Sequence, residues 1–86
     1  MSSEKVRKVV CSRVAAILRE ERERRGISMT ALAERAGLSQ QMVSYVEREM
    51  RNPTLDTLLR ITAVLGIELS QVVARAGKVV DRKQLK

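Results

Sequence analysis

A chain of 86 residues is one small domain, near the lower end of what folds alone, and with one Tyr, no Phe and no Trp its core must be Leu, Ile, Val, Ala and Met. The 17 Lys and Arg against 10 Asp and Glu give +7, which favours a polyanion as partner, either nucleic acid or an acidic membrane. With no His, one Cys and no clustered carboxylates, the chain offers neither a disulfide nor an acid–base or metal site, which argues against an enzyme, a metal and a cofactor.

The opening "MSSEKVRKVV" lacks the apolar stretch of a signal peptide, and no apolar run approaches the ~18 residues that span a bilayer. A cytoplasmic protein away from membranes is expected, and a single cysteine, Cys11, fits a reducing compartment. Residues 5–25 read as one long helix in which Val6, Val10, Val14, Ile17 and Leu18 repeat at three- and four-residue steps, with Ser3 as its cap. Cys11 reads as a small apolar filler of that helix. Glu21 falls on the apolar stripe, where a carboxylate has no evident place. The charge run "REERERRG" closes the helix at Gly26.

Ser28 caps a short second helix, about Met29 to Ala36, ended by Gly37. Ser39 caps a third, about Gln40 to Arg48, with Val43 and Val46 turned inward. Pro53 forbids a continuing helix through "EMRNP", and Thr54 caps a fourth, with Leu55, Leu58, Leu59, Thr62 and Leu65 as its apolar face up to Gly66. A fifth helix, about Leu69 to Ala76, buries Leu69, Val72 and Val73. Gly77 then opens a basic tail. The expected boundaries are an extension of helix 1 over residues 1–17, the domain proper over 18–76 and the tail over 77–86.

Two helices joined by about three residues must cross steeply, with little room at the inner corner. Ala33 is small where the second helix touches the third, Gly37 allows the turn a positive φ, and Leu38 plugs the corner. Counted from Met29, the Ala is fifth, the Gly ninth and Val43 fifteenth, the spacing of a helix-turn-helix. The polar start of the third helix then makes sense. A recognition helix presents its first residues to base edges, and a Gln amide pairs with adenine N6 and N7 together.

From Leu18 to Val73 the chain resembles the phage-repressor and Cro-type helix-turn-helix family, often labelled XRE. The resemblance is carried by "LREERERRGIS", "LAERAGLSQQMVSYVE", "RNPTLDTLL" and "LGIEL". It implies an all-α, five-helix, lambda-repressor-like DNA-binding domain with the helix-turn-helix at helices 2 and 3. It also implies a fork between Arg22 and Glu47 that locks the third helix to the scaffold. Base contacts would come from Gln40, Gln41, Ser44 and Tyr45. Phosphate contacts would come from Ser28, Thr30 and Ser39 at helix starts and from Arg48, Arg51 and Asn52 in the following loop. The chain departs from many relatives at Met29, where they carry Gln, and at Glu49, where they carry Gly.

The function so implied is a sequence-specific transcriptional regulator, a repressor or autoregulator, that reads a double-stranded operator in the major groove as a homodimer. The alternatives are an adaptor that keeps the fold but binds protein, and a DNA-binding antitoxin acting through a protein partner. Surplus apolar residues at the ends, chiefly Leu69, Val72, Val73, Val79 and Val80, are expected to form the dimer interface, with Val6, Val9, Val10 and Leu85 adding to the surplus.

Overall fold

Three of the helices start on a hydroxyl side chain, and three end on a left-handed glycine. The structure, a computed structural model, describes residues 3–84, with side chains as far as Lys78. Five helices account for it: α1 (Ser3–Arg24), α2 (Met29–Ala36), α3 (Gln40–Glu47), α4 (Leu55–Leu65) and α5 (Leu69–Gln84), with no strand among the described residues. Ser28, Ser39 and Thr54 sit in extended conformation before α2, α3 and α4. Their hydroxyl oxygens accept from the N–H groups of Ala31, Met42 and Thr57 at 3.0, 3.0 and 3.1 Å. Each satisfies a donor that the helix itself leaves unpaired.

The core is one cluster to which every helix contributes. Ile17 and Leu18 of α1, Leu32 of α2, Val43 of α3, Ile61 of α4 and Val72 of α5 are its most enclosed side chains. The steep corner between α2 and α3 closes over Ala33 and Ala36, both buried, with Leu38 packed against the core beside them. Small residues there let the two backbones approach. The left-handed Gly37 (φ +70) makes the turn, and the Arg60 Nη1 atom lies 3.0 Å from where a Cβ on it would stand. That same Nη1 donates to the Ala36 carbonyl at 3.3 Å, so α4 braces the turn from behind.

Several expectations need correcting. α5 does not stop at Ala76: it runs through Gly77 to Gln84, so residues 77–84 of the expected tail continue the helix. A glycine inside a helix costs only about 1 kcal/mol relative to Ala, too little to end one whose neighbours favour it. The face of α4 is rotated from the expected one. Leu55 (64% exposed) and Leu59 (49%) point outward, while Thr57, Ile61, Thr62 and Leu65 are buried. The two threonines escape the usual penalty because the Thr62 hydroxyl donates to the Leu58 carbonyl at 3.0 Å and Thr57 bonds the Thr54 cap. Cys11 is exposed, not a core filler. Residues 3–17, expected to extend helix 1 beyond the domain proper, also enter the core: Val14, Ala15 and Ile17 are buried and Val10 packs on it. Among the described residues no single helix is long and apolar enough to cross a membrane.

Candidate nucleic-acid interface

On α3 the residues with polar side chains fall on the side away from Val43 and Val46. Gln40 and Gln41 are exposed, and Ser44 and Tyr45, one turn further on, are half-buried. Spacings of one, four and five residues put all four on a single face of the helix. The C-terminal end of the helix is pinned. Arg22 grips Glu47 through two parallel bonds, Nε to Oε2 at 2.7 Å and Nη2 to Oε1 at 3.0 Å. The third guanidinium nitrogen, Nη1, donates to the Ile27 carbonyl at 2.8 Å. Both charges are largely enclosed, with side chains 12% and 5% exposed, and the Arg22 guanidinium is held even more firmly protonated by its bonds to Glu47. One arginine of α1 therefore fixes the end of α3 and the entry to α2 together.

Beside it lies a second cluster that the sequence reading left without an account. Glu21 is 3% exposed and takes three arginines. Arg24 and Arg25 reach it from the next turn of α1, and Arg75 reaches it from α5 at 3.0 Å. The Arg25 and Arg75 hydrogen bonds, opposed by burial and helped by Arg24, push the carboxyl down from its ordinary 4.5 to about 2. Arg24 and Arg25 stand three and four residues after Glu21, a pattern visible in the chain. Arg75, 54 residues away, is not. Adjacent residues of α1 thus hold two different helices, Glu21 α5 and Arg22 α3.

Around this polar face stand the groups expected at phosphates. Ser28 and Ser39 have their oxygens committed to capping, with the hydroxyl hydrogen still free to donate outward. Thr30, Arg48, Arg51 and Asn52 are exposed. Arg51 lies over the Tyr45 ring, 5.1 Å from its centroid, a stack that joins the loop to α3. Met29, where many relatives have Gln, is half-buried and packs on the core. Glu49 sits at φ 59, the left-handed site that glycine occupies at the ends of α1, α2 and α4. The return bonds are still made, Glu49 N–H to Val46 and Met50 N–H to Tyr45 at 3.2 and 2.9 Å.

A short helix with an exposed polar face and a pinned end, the second of a sharply turned pair, matches what a sequence comparison finds. A profile of the helix-turn-helix family covers residues 18–72, α1's second half through α5's first turn. The chain belongs to the XRE-type helix-turn-helix family. Among relatives, an uncharacterised HTH-type transcriptional regulator of Mycobacterium tuberculosis is 40% identical over 60 residues, 70% of this chain and 43% of its own length. The immunity repressor of Bacillus phage phi105 is 38% identical over 52 residues, 60% of this chain and 36% of the repressor. An HTH-type regulator of Sinorhizobium fredii, 37% identical over 68 residues, aligns over 79% of this chain and 83% of its own length. The chain therefore spans less than half the length of the Mycobacterium relative. The crystal structure of the clp gene regulator ClgR from Corynebacterium glutamicum shares the fold, with a TM-score of 0.76 at 22% identity over 88% of this chain and 81% of that one.

The expected dimer residues divide differently. Val72 is fully buried in the monomer core and cannot contact a partner, and Leu69 is half-buried against the same core. Val73 is 45% exposed and remains available. The side chains of Val79 and Val80, and Leu85 altogether, lie outside the described residues. Among the described residues no three His, Cys, Asp or Glu stand close enough to hold a metal.

Proposed function

We propose that this helix-turn-helix protein is a transcriptional regulator that reads double-stranded DNA in the major groove through α3, working in the cytoplasm as a homodimeric repressor or autoregulator. The family membership supports the coarser part, a DNA-binding regulator. The finer part rests on one observation: Gln40, Gln41, Ser44 and Tyr45 form a polar face on a helix whose C-terminal end is clamped by the Arg22–Glu47 fork. A rigid scaffold beneath hydrogen-bonding side chains is what base-edge readout requires. Ser28, Thr30, Ser39, Arg48, Arg51 and Asn52 serve the backbone, and the +7 charge draws the protein to DNA of any sequence. A dimer supplies the second half-site. Its contact surface is drawn from Val73 and from the outward Leu55 and Leu59 of α4, large apolar side chains left exposed on helices among the described residues.

Selection of genomic fragments by the purified protein, followed by titration of the recovered site and of random duplex, tests this reading. Gln40→Ala and Gln41→Ala are expected to lose about 1–3 kcal/mol on the selected site and little on random DNA. Arg51→Ala is expected to weaken both and to flatten the salt dependence, which for ~6–10 phosphate contacts amounts to roughly 10³–10⁵ in affinity between about 50 and 200 mM salt. Recovery of no preferred sequence would end the proposal.

A further inference from the structure

Tyr45 is where two contacts meet. Its phenolic oxygen accepts an N–H from Gln41 Nε2 at 2.5 Å, and its ring carries the Arg51 guanidinium, 5.1 Å from the centroid. We propose that Tyr45 is a positioning residue that fixes the polarity of the Gln41 amide, so that Gln41 accepts adenine and rejects guanine. This deepens, and rests on, the reading of α3 as the groove-facing helix.

A glutamine amide has two N–H donors and one carbonyl acceptor. When free to turn, it satisfies a purine edge in two ways. It accepts from adenine N6 while giving one N–H to N7, or it gives both N–H groups to guanine O6 and N7. With one N–H committed to Tyr45, a single N–H remains beside the carbonyl. That pair matches adenine and sets two acceptors against each other at guanine O6. The opposite polarity, with the Gln41 carbonyl taking the Tyr45 O–H, would release both N–H groups and admit guanine. Tyr45 excludes it once its own O–H is donated outward to water or a phosphate, because only lone pairs then face Gln41. The Arg51 stack restrains the ring, keeping the hydroxyl one helical turn from the amide.

Sites selected from a random duplex library by wild type, Gln41→Ala and Tyr45→Phe decide the matter, with each variant's melting temperature measured alongside. Gln41→Ala identifies the position that Gln41 reads, as the one whose preference it erases. At that position wild type is expected to favour adenine over guanine on the order of 10-fold or more. Tyr45→Phe keeps the ring and its stack but removes the hydroxyl. It should melt like wild type, keep the preferences read by Gln40, and let adenine-over-guanine discrimination fall to about 3-fold or less. Full discrimination retained in Tyr45→Phe, or a base other than adenine at that position, would overturn the positioning role alone, and a Gln41→Ala that erases nothing would remove Gln41 from the base-reading set and the positioning role with it. A wild type that enriches no sequence would overturn the groove-reading assignment, and this inference with it.

Discussion

Glu49 holds the left-handed conformation that three other helix ends give to glycine. An L side chain there costs roughly 1–2 kcal/mol in steric strain, partly offset because glycine loses more freedom on folding. Glu49→Gly is therefore expected to stabilise the fold by about 1 kcal/mol, read as a higher melting temperature. An unchanged or lower one would show the strain to be absorbed elsewhere. Glu21 predicts an opposite kind of sensitivity. Its carboxyl is held at about 2 against an ordinary 4.5, so folded protein binds its proton less readily than unfolded chain. The stability this contributes is complete above 4.5 and is lost as pH falls towards 2. Denaturant titrations across that interval should show a steep decline in wild type and a shallower one in Glu21→Gln, which has no carboxyl to titrate. Equal slopes would mean that the three arginines do not hold Glu21.

Among the elements, α3 depends on something outside itself, since eight residues make a marginal helix alone. Removing Arg22 leaves the Glu47 carboxylate enclosed and unpaired, a loss of about 3–5 kcal/mol. Arg22→Ala should melt far earlier than wild type, and Arg22→Met with Glu47→Leu should recover most of the difference, because an apolar pair has no charge to strand. A single variant that melts like wild type would remove the fork from the stability account. Much of this was legible beforehand. Ser28, Ser39, Thr54 and the glycines bound their helices through chemistry confined to four or five residues, and the Ala33–Gly37–Val43 spacing announces the corner. What was not legible depends on partners far along the chain. Glu21 looked misplaced because Arg75 comes from another helix. The α4 face was misjudged because seven of its eleven residues are Leu, Ile, Val, Ala or Met-like in bulk or polarity, so period alone chose the wrong stripe. α5 overran its expected end because Gly77, unlike Gly26, Gly37 and Gly66, does not take a positive φ.

For the molecule as a whole, the open question of assembly turns on which apolar side chains the monomer already uses. Val72 is used and Val73 is not. Val72→Ala should therefore cost stability, about 1–3 kcal/mol for a well-enclosed side chain, without altering assembly. Val73→Glu should leave the melting temperature of the monomer nearly intact and shift sedimentation from dimer towards monomer. A wild type that sediments as a monomer at micromolar concentration would refute the dimer, and a dimer that survives Val73→Glu would move its interface to α4. The aromatic inventory has a separate use. Tyr45 is the chain's sole aromatic side chain, and it lies on the polar face of α3 beneath Arg51. Near-ultraviolet absorption, circular dichroism and intrinsic fluorescence all originate in that one ring. Its optical signal is a built-in probe of α3 and the loop after it, blind to the rest of the fold, and DNA that displaces Arg51 from the ring would change it without any dye attached.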